Sequence, residues 1–167
     1  MPHAVLVVVL MPNLKLLFND GVDAVIFSVS CFQGHLTGVM KNLTDHLAFL
    51  IHRPRFFHKK AMVISTTGGV SANSTTKSLA GTIAGWGFNK SYELPIVALS
   101  WNAYVPTERD LRKAEKVASK FYQDVKSNRM HAPPVWVLIP FNLFQAMCRP
   151  TGGMIKRSTA WSIEETF

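Results

Sequence analysis

Asp23-Ala24-Val25-Ile26-Phe27-Ser28-Val29-Ser30 reads as an apolar strand, and it runs directly into Cys31-Phe32-Gln33-Gly34. Leu36-Thr37-Gly38-Val39-Met40-Lys41 then opens a helix. The next apolar strand, from Lys60 to Thr66, runs into Thr67-Gly68-Gly69. Two strand-to-glycine loops in succession place polar backbone at the carboxyl edge of a parallel sheet. That edge is where open α/β sheets bind ligands.

The pattern continues on both sides. Ala4 to Leu10 is a run of β-branched residues and leucine, expected as a strand buried on both faces. Met11 to Gly21 carries Leu14, Leu17 and Phe18 and reads as one or two helical turns stopped at Asn19-Asp20-Gly21. Val22 to Ser30 is the second strand, and Leu36 to Ile51 a helix whose stripe is Leu36, Val39, Met40, Leu43, Leu47, Leu50 and Ile51, ended by Pro54. Ala61 to Thr66 is the third strand. Asn73 or Ser74 is the expected cap of the next helix, with Leu79, Ile83 and Trp86 inward and Gly85 and Gly87 at its end. Leu94 to Ser100 is the fourth strand, followed by a loop from Trp101 to Pro106. Thr107 with Asp110 resembles a capping box opening a helix with Leu111, Ala114, Val117, Ala118, Phe121 and Val125 at helical spacing. Strands alternating with helices predict an α/β domain with a mostly parallel sheet. Pro133-Pro134 breaks the alternation. Residues 1–130 are therefore expected as the domain and 131–167 as an extension, with an apolar segment from Val135 to Met147 and a polar tail from Thr151.

Composition narrows the classes. The chain of 167 residues is long enough for one domain with a real core, and 48% hydrophobic against 17% charged residues fits a globular protein. No apolar run reaches the roughly 18 to 20 residues of a membrane span. The apolar start has no basic region before it and no small-residue cleavage site after it, so it is a strand rather than a signal peptide. Cys31 and Cys148 are the only cysteines, too few for a disulfide framework or a cysteine metal cluster. The expectation is a cytoplasmic protein with reduced thiols and no metal site. Net charge is +8, but the basic residues are scattered, apart from Arg53, Arg55, His58, Lys59 and Lys60 and the helix from Arg109 to Lys126. No basic segment is interleaved with stacking aromatics, so nucleic acid is not the expected partner, nor is a membrane.

Val29-Ser30-Cys31-Phe32-Gln33-Gly34-His35-Leu36-Thr37-Gly38-Val39-Met40-Lys41 resembles the loop S-P-V-Y-x-G-x-x-x-G-x-x-K of the flavodoxin-like NAD(P)H-dependent FMN reductases and related flavodoxin-family oxidoreductases. Gly34, Gly38, Lys41 and Asp45 match, and Phe32 stands at the aromatic position. Ser30 replaces the usual proline, and His46 stands where arginine is frequent. Ser65-Thr66-Thr67-Gly68-Gly69 resembles the family's second flavin loop, and Pro133 to Arg149 its C-terminal extension in multimeric members. The resemblance covers roughly residues 12 to 149.

This resemblance implies a flavodoxin-like three-layer α/β/α fold and an FMN-dependent NAD(P)H oxidoreductase. Electrons would pass to a quinone, a free flavin or another small acceptor, in a homodimer or homotetramer. The implied flavin contacts are Ser28, Val29, Ser30, Cys31, Phe32, Gln33 and Gly34 from the first loop, and Thr66, Thr67, Gly68, Gly69 and Val70 from the second. The physics is compatible: Phe32 can lie against a flat apolar ring, glycines let backbone approach closely, and the amides of Thr67, Gly68 and Gly69 suit a negatively charged ring edge. Hydride transfer to a flavin needs stacking geometry, so no catalytic side chain is required. Plainer roles stand beside these. Gly34, Gly38, Gly68 and Gly69 also serve turns and packing, Lys41 a solvated helix face, and Cys31 a small buried thiol. His35 is expected exposed, or in contact with substrate. Trp101, Asn102 and Tyr104 either wall the pocket or cover the core, and Trp136, Phe141 and Phe144 pack on the core or a subunit.

One part of the family pattern has no counterpart. A flavodoxin-like sheet begins with a strand and a glycine- or hydroxyl-rich loop at a helix N-terminus that binds the FMN phosphate. Here the first strand ends in Leu10-Met11-Pro12-Asn13-Leu14, without glycine or hydroxyl. The chain is expected to start near the family's second strand, N-terminally truncated, with FMN held weakly or not at all. Ala4 to Leu10 would either leave the next strand with a free edge or take the vacant place beside it. The alternative function is a non-enzymatic flavodoxin-like module that has lost FMN and serves as a subunit or interaction domain.

Overall fold

A computed structural model gives the architecture, and it describes residues 5–8, 17–18, 21–99, 103–132, 139 and 143. Five strands and three α-helices follow one another along the described chain: β1 Val5–Val8, β2 Ala24–Phe32, β3 His35–Leu36, α1 Gly38–His46, β4 Lys60–Thr67, α2 Ala72–Gly85, β5 Lys90–Val97 and α3 Glu108–Ser127. A short 3₁₀ helix, Ala48–Ile51, follows α1. The parallel strands lie in the order β1-β2-β4-β5, and β3 pairs antiparallel with the end of β2. β1 pairs in parallel with β2, Val5 opposite Ala24 and Val8 opposite Phe27, so this strand fills the place beside β2.

Period-2 alternation sorts the strands onto two helical layers. Val25, Phe27, Val29, Ala61 and Val63 face Met40, Leu43, Leu47, Leu50, Leu79 and Ile83, the buried stripes of α1, the 3₁₀ turn and α2. Ala24, Met62 and Leu94 face Phe121 and Val125 of α3. This is the expected α/β/α layering with a mostly parallel sheet. The compact unit runs from Met1 to Pro133.

Boundaries differ from the sequence reading in several places. β2 runs two residues past Ser30, and Cys31 and Phe32 pair with Leu36 and His35. Gln33 (φ 49°) and Gly34 (φ 83°) form the two-residue turn between them, with both residues at positive φ as a type I′ hairpin requires. Leu36 is therefore in a strand, and the expected helix from Leu36 to Ile51 becomes α1 plus a 3₁₀ turn, with Val39 and Ile51 half exposed. α2 starts at Ala72 behind Ser71, not behind Asn73 or Ser74. β5 starts at Lys90 rather than Leu94 and ends at Val97. Its first residues are polar, and it lies at the end of the described sheet, where no other described strand pairs with its outer side. Pro95 is tolerated there for the same reason, and its carbonyl accepts from Lys113 Nζ at 3.0 Å. On α3 the capping box forms as read, Thr107 Oγ1 accepting from the Asp110 amide and Asp110 from the Thr107 amide, but Leu111 and Ala118 are exposed. Gly87, with φ 95°, follows the α2 C-cap, and a Cβ there would stand 2.9 Å from Pro54 Cβ.

Leu10 to Leu14, most of the helix expected from Met11 to Gly21, Trp101, Asn102, Cys148, Trp136, Phe141, Phe144 and the tail from Thr151 lie outside the described residues. Among the described residues no helix is long and apolar enough to cross a membrane, and no cluster of His, Cys, Asp or Glu suits a metal ion.

Candidate functional site

β2 and β4 are hydrogen-bonded parallel neighbours, so the segments leaving their carboxyl ends emerge side by side. The first is the hairpin turn at Gln33-Gly34; the second is Gly68 to Ser71, which leads into α2. A polar network under the sheet edge ties them together. Thr75, on the first turn of α2, donates its hydroxyl to Cys31 Sγ (3.0 Å) and lies 3.2 Å from the Gly34 carbonyl. A Cβ on Gly34 would lie 3.5 Å from Ser71 Oγ, so the two loops are in van der Waals reach. One residue further along α2, Thr76 and Ser65 of β4 lie against each other and both donate to the Ala72 carbonyl. Ser65, Thr75 and Thr76 are buried, which fixes the start of α2 against β4 and the hairpin against both.

Above this network the loop side chains divide by exposure. Val29 and Cys31 point into the core, while Ser30, Gln33, Gly68 and Val70 are exposed and Ser28, Gly34, Thr66, Thr67 and Gly69 half-buried. Phe32 is 66% exposed and Val70 83%, so each loop offers an apolar group to the outside. Nothing stands within 4 Å of the place a Gly69 Cβ would occupy. That combination of a free ring face, an aliphatic side chain and open glycine backbone fits a flat aromatic ring such as isoalloxazine. The amides fit less completely. Gly69 N–H donates to Thr67 Oγ1 (3.3 Å), and that hydroxyl donates to the Val70 carbonyl (3.3 Å). Of the expected amides, Gly69 is thus turned into its own loop, while the Gly68 amide has no protein acceptor among the described residues.

Neighbouring candidates take structural roles. Lys41 pairs with Asp45 one turn along the exposed face of α1. His35 is exposed on β3. Tyr104 donates its hydroxyl to Asp110 Oδ2 (3.1 Å), joining the cap of α3. The hydrogen bonds from Thr107 and Tyr104 hold the Asp110 carboxyl below its usual range, and partial burial together with the Asp110 bond moves the Tyr104 phenol up.

Two features were not anticipated from sequence. Thr75 and Asp124 each occupy a stripe position among apolar residues, Thr75 four before Leu79 and Asp124 three after Phe121. A polar residue in such a place signals a buried hydrogen bond. Asp124 accepts from the Tyr92 hydroxyl (3.0 Å) and lies 2.8 Å from His131 Nε2, and the His131 backbone and Asn89 side chain exchange two hydrogen bonds. Burial first, then the Asp124 bond, pushes the Tyr92 phenol up to about 12. This cluster stands at the amino edge of the sheet, where β5 begins, away from the glycine loops.

Residues 20–102 match the family model described as NADPH-dependent FMN reductase. No curated protein matches the chain. Among solved structures the chain is similar to rubredoxin oxygen:oxidoreductase from Desulfovibrio gigas, at 18% identity over 64% of this chain and 24% of that one, with a TM-score of 0.48. It is similar to a WrbA-like flavodoxin from Agrobacterium tumefaciens at 14% identity, over 65% of this chain and 69% of that one, TM-score 0.45. RosB, solved with 8-demethyl-8-formylriboflavin-5'-phosphate, aligns at 9% identity over 86% of this chain and 63% of that one, TM-score 0.48. The chain thus spans about a quarter of the first of these proteins and under two thirds of the third.

Proposed function

We propose, from the premise that residues 20–102 carry the sequence pattern of the NADPH-dependent FMN reductase family, that the carboxyl edge of this sheet holds the isoalloxazine of FMN. The proposed activity is an NAD(P)H oxidoreductase that reduces a small acceptor such as a quinone or a free flavin. The observation that carries the reading is the joining of the two glycine loops through Thr75, with Phe32 and Val70 exposed beside open backbone at Gly69. FMN supplies hydride acceptance from a reduced nicotinamide and delivery of electrons to the acceptor.

The protein's own residues bind and orient. Phe32 would cover one face of the ring and exclude water from it. Gly34 and Gly69 let the ring lie close to the backbone. The Gly68 amide would be the donor to the polar edge of the ring. Ser28, Ser30, Thr66 and Thr67 offer hydroxyls at the mouth of the strands. The rigid hydrogen bonds of Thr75 and Thr76 keep the loops in place, so little ordering entropy is lost on binding.

A second reading is favoured by one specific observation: the Gly69 amide is satisfied within its own loop. On that reading the domain is a non-enzymatic module. Titration of the purified protein with FMN, followed by flavin fluorescence and absorbance, separates the two. Saturation at micromolar FMN is expected for the flavoprotein, with NAD(P)H turnover to follow. No binding up to about millimolar, an affinity of roughly 4 kcal/mol or less, leaves the module.

A further inference from the structure

We propose that the amino edge of the sheet carries a docking surface for anionic phospholipid bilayers, formed by Phe49, Ile51 and Phe57 together with Arg53, Arg55 and His58. The segment is held against the end of α2. Arg55 N–H donates to the Trp86 carbonyl (3.0 Å), and Ile51, Pro54 and Phe57 lie within 4 Å of where Cβ atoms would project from Gly85 or Gly87. Anchoring is supplied by its inward residues: Leu50 and Phe56 are in the core, Phe56 packing on Phe18 and Phe88. Their neighbours Phe49, Ile51 and Phe57 point the other way and are about half exposed. Large apolar groups left half exposed beside residues that the core has taken mark an interaction surface.

Charge selects the occupant. Arg53, Arg55 and His58 are exposed, and none has an ion-pair partner among the described residues. No Asp or Glu occurs in the sequence between Asp45 and Glu93. A second copy of the chain is disfavoured, because an isologous contact sets the patch against itself and brings like charges together. A polynucleotide takes cations and stacked rings but offers nothing to Ile51. The boundary between headgroups and acyl chains accommodates phenylalanine and isoleucine alike, while the arginines meet anionic headgroups. The sequence alone predicts no membrane partner, because no apolar run reaches a membrane span and most basic residues are scattered; the structure sets the Arg53, Arg55 and His58 exception beside three half-exposed apolar side chains, and a peripheral contact needs no span.

Sedimentation of the full chain with phosphatidylcholine vesicles, with and without phosphatidylserine, tests this. Binding is expected only with phosphatidylserine, and it should weaken at about 0.5 M salt, where the Debye length falls to a few ångströms. R53E/R55E is expected to lower partitioning at least roughly tenfold, and F49S/F57S to lower it as well. All four positions are exposed, and circular dichroism verifies that each variant is folded. Absence of binding to anionic vesicles, equal binding to neutral ones, or wild-type partitioning by folded R53E/R55E overturns the proposal. Tighter binding to a fluorescent single-stranded oligonucleotide than to the vesicles overturns it too. The surface lies on the opposite edge from the glycine loops, so failure here leaves the FMN titration unaffected, and the reverse.

Discussion

The hydroxyl of Thr75 sits between Cys31 Sγ, at 3.0 Å, and the Gly34 carbonyl, at 3.2 Å, and so connects the first turn of α2 to both sides of the β2–β3 hairpin turn. One side chain thereby sets the spacing of two loops more than thirty residues apart in sequence. Thr75→Val keeps the shape and removes the donor. Leaving the Gly34 carbonyl short of a partner should cost about 1–2 kcal/mol of stability, measured by urea unfolding. If the hairpin helps hold the ring, FMN affinity should fall further than stability accounts for. Thr82→Val, which removes an exposed helix hydroxyl bonded to the Ser78 carbonyl, is the control and should change neither.

Glycine replacements separate folding from binding. A Cβ at Gly69 meets nothing within 4 Å, and its φ lies in the ordinary range, so Gly69→Ala should unfold within about 0.5 kcal/mol of wild type. A ring lying on that backbone would meet the new methyl, and FMN affinity should drop at least tenfold. An unchanged affinity would place the ring elsewhere. Gly87→Ala is the converse. With φ at 95° and Pro54 Cβ 2.9 Å away, it should destabilise by more than about 2 kcal/mol while leaving the intrinsic FMN site untouched.

Tyr92 gives a pH dependence of defined sign. Its phenol is raised to about 12 in the folded chain, chiefly by burial and then by its bond to Asp124, whereas the unfolded chain ionises near 10. Stability from this group is therefore complete below pH 10 and is lost as pH rises from 10 through 12. Tyr92 is partly exposed, and after discounting for solvent screening the loss should be about 1 kcal/mol. Denaturation at pH 9 and pH 11.5 in wild type and Tyr92→Phe isolates it, because every other tyrosine and lysine is common to both. The wild type should lose more stability than the variant over that interval.

The fold was legible where one periodicity ruled. β2 and β4 are placed by the continuous apolar runs Ala24 to Phe27 and Ala61 to Ile64, which admit few alternatives, and α3 by Thr107 and Asp110, which announce its start. The hairpin at Gln33-Gly34 is hidden in the sequence because glutamine at positive φ is uncommon and the following Leu36 fits the α1 stripe as well as a strand. The start of β5 is not legible in the sequence because Lys90 to Glu93 is polar, and only pairing with β4 makes it a strand. The loops of the candidate site were visible from their glycines. The residue that joins them was not, because Thr75 acquires its meaning only when Cys31 and Gly34 are folded over it. The same holds for Asp124, whose partners Tyr92 and His131 lie on other segments.

Trp86 offers a last test, of the core rather than the site. Its ring is fully buried at the C-cap of α2, edge-on to Phe27, and its Nε1–H has no acceptor among the described residues. Burying an unpaired donor costs about 1–3 kcal/mol, which here offsets part of what the large ring contributes. Trp86→Phe surrenders volume but also removes that penalty, so it should destabilise by no more than about 1.5 kcal/mol. Trp86→Ala, which leaves a cavity between Phe27 and the α2 terminus, should cost about 3–5 kcal/mol. The difference between the two, read from urea midpoints at constant m, measures how far the indole nitrogen works against its own ring. A Phe variant as damaging as Ala would mean that the N–H finds a partner in solution, a bound water being the simplest one.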